Sequence, residues 1–412
     1  MIAYSSDYAL TSRRQDELTS ATLMPLGKGF KITENLDLGA TLLQGYERHT
    51  RRQDTSSDEE SGRAKRRKLG PLPRLRIAAI TNDTIATLCS LAYSVKSLPN
   101  SRVAAGLIVG TGCNATIPLK FNALGAEKSE RVRSKVPSAT ETIVNTEMTI
   151  AGACGPLKSI TTEWDVQLDR STARPGFQPL EYMTGGRYIG ELIRLIFFDY
   201  MTNAHRPPVA SANLPAMIVH NYSLTTTFVS AVVARARTDV ELSKELKHRM
   251  PVPESSNWSW TPHSAGALRK VAQAVQVRSA GLIAAATAGL LGSVGEIGLS
   301  RPPNMPEEAT DEIDSATNSD QMRGTEPAGN DATPSWTSGP EELVIAYTGG
   351  IIQHYPNFKE HCQRFIDKLV MRSGPQSGGK SVYLRESRDG GIIGAGVLAG
   401  MESMRIMATP KA

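Results

Sequence analysis

Residues 75–87 and 105–115 are built alike, each an apolar, strand-like run that breaks into a polar turn. The first turn carries a lone carboxylate, Asp83, and the second the glycine-rich Gly110-Thr111-Gly112. Each has a plain structural reading. Asp83 suits the cap of a helix expected over 84–95, and two glycines suit a tight hairpin. Taken together they also describe a carboxylate able to accept a hydroxyl proton beside backbone N–H groups able to cradle phosphate oxygens. Phosphoryl transfer asks for little more than that, a metal and positioning.

The strand-like runs 75–80, 104–109 and 344–347 alternate with helical stretches at 185–200 and 268–291, which predicts an α/β protein. The 187–198 helix is apolar on more than one side and is expected in the core. At 412 residues the chain is long enough for two lobes. The longest apolar run, 280–294, is shorter than the roughly 20 residues of a membrane span, so no membrane association is expected. No secretory signal is visible after Met1. Cys89, Cys113, Cys154 and Cys362 lack metal-ligand or disulfide spacing, which points to a reducing compartment.

The ordered motifs Leu26-Gly27-Lys28-Gly29-Phe30, Asn82-Asp83-Thr84, Gly110-Thr111-Gly112-Cys113-Asn114, Val144-Asn145-Thr146-Glu147, Thr162-Glu163-Trp164-Asp165, Gly185-Gly186-Arg187-Tyr188-Ile189-Gly190-Glu191 and Tyr355-Pro356-Asn357-Phe358 resemble the eukaryotic hexokinases. The resemblance implies a two-lobed, actin-like ATPase (ribonuclease H-like) hexokinase fold. Residues 1–79 would supply the smaller lobe, 80–386 the larger, and 387–412 a helix returning to the smaller. It further implies that Asp83 is the general base for the 6-hydroxyl of a hexose. Lys28, Asn82, Asn114, Glu147 and Glu181 would bind that sugar, and Gly110, Thr111, Gly112 and Gly349 the nucleotide, ATP with Mg²⁺, no residue being assigned as a direct metal ligand.

Several positions depart from the family pattern. Leu10 and Gly27 stand where sugar-contacting hydroxyls are usual, and an unmatched substrate hydroxyl costs about 1–3 kcal/mol in a closed site. Thr348-Gly349-Gly350 replaces an Asp-Gly-Ser/Thr segment, and Asp389-Gly390-Gly391 a Gly-Ser-Gly one. The family's first phosphate loop has no counterpart, so the smaller lobe is expected to be incomplete.

Two stretches interrupt the globular pattern. Residues 45–74 and 301–342 are charged or polar with few aliphatics, a composition that predicts disorder. In the first, Arg51 and Arg52 precede Lys65, Arg66, Arg67 and Lys68 at a spacing similar to two-part nuclear import signals read by an import carrier. A solvated charge run is the plain alternative. Ser56 and Ser57 lead into an acidic run that suits phosphorylation. The net charge of +5 comes largely from these clusters, without interleaved aromatics, so direct nucleic-acid binding is not expected.

Two functions follow. One is a hexose- and ATP-binding phosphotransferase whose activity in this chain is weak or lost. The other resembles the atypical fungal hexokinase-like proteins, non-catalytic sensors of sugar or nutrient status that act through regulatory protein partners. Cytoplasm, nucleus or both are the expected locations.

Overall fold

A six-stranded mixed sheet organises the chain in a computed structural model. The structure describes residues 3–5, 37–54, 73, 75–95, 100–134, 136–150, 155–299, 341–372 and 374–408. In chain order the elements are β1 (Ala3–Ser5), α1 (Leu38–Asp54), α2 (Asp83–Val95), β2 (Ser101–Val109), β3 (Cys113–Lys120), α3 (Ala126–Arg133), β4 (Glu141–Asn145), α4 (Glu163–Arg170), α5 (Pro179–Thr184) and α6 (Gly186–Asp199). There follow α7 (Ala216–Val219), α8 (Thr226–Phe228), α9 (Asp239–Arg249), α10 (Pro262–Ser293), β5 (Glu342–Thr348), α11 (Gly350–His354), α12 (Phe358–Val370), β6 (Ser381–Glu386) and α13 (Gly390–Ala408).

In the strand order β1-β4-β3-β2-β5-β6, β2, β3 and β4 form an antiparallel meander, while β5 pairs in parallel with β2 and β6 with β5. The turns that follow β2, β5 and β6 therefore gather at one edge of the sheet, where open α/β sheets bind ligands. Helices cover both faces. On one, α2 buries Ile85, Leu88 and Leu91 against strand residues such as Ile143 and Val344, with α13 lying along it. On the other, α6, α10 and α12 pack over Leu107, Leu343 and Ile345 in the main core. Burying one such aliphatic side chain stabilises the fold by about 1.5–3 kcal/mol.

Helix starts follow local chemistry. Thr162 and Asp165 form a capping box on α4, Thr261 and Ser264 one on α10, whose first residue is Pro262. The α6 helix is buried around most of its circumference, from Tyr188 through Leu195, as its all-round apolarity predicts. At the opposite edge of β2, Arg102 donates to Glu296 just after α10 (2.9 and 2.6 Å) and to Glu341 just before β5 (2.7 Å). Burial works against the Glu296 carboxyl, and the Arg102 bonds and charge hold it below its ordinary value.

Three expectations need correction. Residues 75–82 precede α2 without joining a ladder, since an apolar run becomes a strand only where the fold sets a partner strand beside it. The α1 helix runs to Asp54, so the stretch expected to be disordered from 45 begins as helix. The apolar run 280–294 belongs to the 32-residue α10, which by length and composition is long enough to cross a membrane. Half of its apolar window is buried, and Arg278 midway along it donates to Asp165 of α4 at 2.8 and 2.7 Å, the packing of a core helix.

Candidate active site

The turn between β2 and β3 is fastened to the start of α6. The Gly186 N–H donates to the Gly110 carbonyl (2.8 Å) and the Arg187 N–H to the Thr111 carbonyl (3.0 Å), so two donors at the helix start are met by the turn. A Cβ on Gly186 would come 2.7 Å from the Gly110 oxygen, which excludes any larger residue without a shift. The Gly110 N–H closes the turn on the Gly112 carbonyl at 2.9 Å. The N–H groups of Thr111 and Gly112 make no hydrogen bond among the described residues. Thr111 and Arg187 are exposed beside them. Gly349, in the turn after β5, has φ +119°, and a Cβ there would lie 2.5 Å from the Val109 carbonyl. Only glycine lets the two turns approach this closely.

Asp83 is the first residue of α2, and it is exposed. The cap of that helix is Asn82, whose Oδ1 accepts from the Thr84 N–H at 2.9 Å and from the Thr84 hydroxyl at 2.5 Å. Asp83 Oδ1 also accepts from the Thr84 N–H, at 2.9 Å. The buried Thr84 and Thr116 hydroxyls bond to one another and so tie the first turn of α2 to β3. Close approaches fix the helix from both sides. A Cβ on Gly106 of β2 would sit 2.5 Å from the Thr84 carbonyl, and one on Gly394 of α13 would clash with that of Ala86.

At the start of β3 three polar side chains form a triangle. Asn114 Nδ2 donates to Asn145 Oδ1 (2.7 Å) and to Glu147 Oε1 (2.9 Å), and Asn145 Nδ2 donates to the same Glu147 oxygen (2.6 Å). Glu147 adopts φ +45°, uncommon outside glycine, where the two amides hold it. The Cys113 N–H donates to Glu181 Oε2 at 3.1 Å, which joins α5 to the same strand; Glu181 is 2% exposed. Asp83, Asn114, Glu147 and Glu181 are thus linked through β3 by way of Thr116, Asn145 and Cys113. Lys28, Lys65, Arg66, Arg67, Lys68, Ser56 and Ser57 lie outside the described residues, as do Leu10 and Gly27. Arg51 and Arg52 fall in the last turn of α1.

A hexokinase family model matches residues 104–401, and a second matches residues 12–93. The chain belongs to the hexokinase family. Among curated relatives, Hexokinase-2 of Solanum tuberosum is 23% identical over 81% of this chain and 55% of its own length. Hexokinase-1 of Arabidopsis thaliana is 26% identical over 95% of this chain and 63% of its own. The chain therefore spans little more than half the length of the curated hexokinases it matches. Among solved structures, a hexokinase from Schistosoma mansoni complexed with glucose covers 94% of the chain at TM-score 0.59 and 23% identity, the match taking in 67% of that chain. A second hexokinase structure covers 97% at TM-score 0.56 and 19% identity. The fold is the actin-like hexokinase fold.

The sequence assigns no role to four residues of the site, although three of them stand within its motifs. Thr84, Thr116 and Asn145 look like ordinary helix and strand residues, although an Asn inside a β-branched run is a usable signal, since Asn is depleted in strands. Arg187 is hidden in a helix-forming run. Its position as the second residue of α6, beside the Gly110 turn, becomes visible only in three dimensions.

Proposed function

We propose that this hexokinase-family chain binds a hexose and ATP and transfers a phosphoryl group to the sugar. The observation that carries this is the start of β3, which joins the Thr111 and Gly112 amides to the Asn114, Asn145 and Glu147 triangle within a few residues. Two unbonded amides, the Thr111 hydroxyl and the exposed Arg187 suit phosphate oxygens. A desolvated polyol requires a partner for each hydroxyl, and Asn114, Glu147 and Glu181 are amide and carboxylate groups of that kind. Asp83 would accept the hydroxyl proton as the sugar oxygen attacks, a role worth about 10²–10⁴ in rate.

Among the described residues no three His, Cys, Asp or Glu side chains are grouped to hold an ion. A divalent ion bound with the triphosphate would neutralise charge on the transferring group. The chain's own contribution is to position and to accept a proton.

One observation favours slow turnover. The Gly349 N–H is bonded to Gln353 Oε1 at 3.1 Å, so the turn after β5 offers a ligand one amide fewer. That favours a second reading, a sugar-binding regulator of the fungal non-catalytic kind, acting in the nucleus through Arg51, Arg52 and the 65–68 cluster.

A coupled assay with Mg-ATP and glucose, run beside Asp83→Ala and with calorimetry for glucose, tests the first reading. Turnover lost in Asp83→Ala supports it. Glucose binding without turnover leaves the regulator, and neither binding nor turnover removes both. For import, a reporter carrying residues 45–74 that stays cytoplasmic removes the nuclear element.

A further inference from the structure

A cavity of about 470 Å³ opens between α4, the end of α6 and the first turns of α10, within the range of small-molecule sites. Its lining comes from none of α2, β3 or the Gly110 turn, so it is separate from the candidate active site. Trp164, Ile196 and Val271 give it an apolar wall. Where α6 ends, residues Tyr200–Ala204 wind as a π-turn that supplies part of the lining, and such turns recur at functional sites.

Two carboxylates share the lining with that wall. Asp199 is half-buried and accepts from neutral donors, Trp164 Nε1 at 3.3 Å and Asn203 Nδ2 at 2.7 Å, and no ion pair among the described residues offsets its charge. Asp239 lies 2.6 Å from Arg269, yet its Oδ1 is buried and makes no hydrogen bond. Opposed to them in the lining is Lys270, whose side chain is exposed at the mouth. Water and salt screen an exposed ammonium more than a half-buried carboxylate, so the inner part of the cavity is the negative part. The Trp164 bond also sets Asp199 at the edge of the indole. A ring laid against the indole therefore carries a substituent to that carboxylate, and a positive substituent gains from both the carboxylate and the aromatic lining.

We propose that this cavity binds a small aromatic cation, its ring against Trp164 and its positive group at Asp199. The test uses 4-aminobenzamidine on the purified full chain, read by its own fluorescence and by calorimetry. One saturable site is expected. The uncharged 4-aminobenzamide and the anionic 4-aminobenzoate should each bind about tenfold more weakly or worse, a comparison made on the unaltered chain. Asp199→Asn, close in shape but without the charge, should weaken 4-aminobenzamidine by about tenfold, and Lys270→Ala, which removes the opposing charge, should tighten it. Ala267→Trp, which fills the cavity, should remove it. Saturating glucose and Mg-ATP should leave binding unchanged. Equal binding of the three ligands, binding untouched by Asp199→Asn, displacement by Mg-ATP, or a signal that never saturates overturns the proposal.

Discussion

Asn145 has no exposed surface, and its amide donates to Glu147 while its carbonyl accepts from Asn114. Asn145→Ala would leave the Asn114 amide and the Glu147 carboxylate each short of a partner. The expected loss is about 1–3 kcal/mol, read as a lower urea midpoint at unchanged slope, together with a weaker affinity for glucose. Asp165 gives a pH signature. Burial pushes its carboxyl up, but bonds from Arg278 and Thr162 and the Arg278 charge outweigh that and hold it below its ordinary value. The folded carboxyl therefore titrates lower than the unfolded one. Its stabilising contribution is full above the ordinary carboxylate range near 4 and is lost as pH falls through the folded value. Acid titration of the melting midpoint should show this drop, and Asp165→Asn should flatten it. Residues with unusual chemistry in a recognisable order, such as Asp83 and Glu181, stand out in the sequence. Thr84 and Thr116 do not, because a hydroxyl that bridges two elements distant in sequence looks like any helix or strand threonine until the chain folds.

At the scale of elements, the direction of Asp83 depends on where α2 is clamped. Gly106 and Gly394 allow β2 and α13 to touch the helix backbone on opposite sides, so adding a methyl group at either forces a shift. Gly106→Ala and Gly394→Ala should each cost about 1–3 kcal/mol, and any phosphotransferase rate should fall more than glucose affinity does, since Asp83, the proposed base, moves while the Asn114 triangle stays. Thermal melts and steady-state kinetics separate the two effects. Helices α2, α6 and α10 are legible in the sequence from their apolar stretches. The run 75–80 looks like a strand because local β propensity says nothing about whether a partner strand lies beside it. The apolar run 280–294 looks too short for a span because Arg278 bounds it, although Arg278 is paired with Asp165 in the fold.

For the molecule as a whole, the sheet has two working edges. The turns after β2, β5 and β6 meet at one, and at the other Arg102 holds Glu296 and Glu341 together. Replacing residues 301–340 by a short Gly/Ser linker should leave the melting midpoint nearly unchanged, because doubling a closed loop costs only about 0.6 kcal/mol. Arg102→Ala in the same background should lower it, since Glu341 is 9% exposed and would lose its guanidinium. Calorimetry of the four combinations reads both effects. The same clasp makes this a natural grafting point: a fluorescent protein or affinity handle spliced between 301 and 340 would hang from two anchored ends. It would report on the molecule without touching either β3 or the helices behind the sheet.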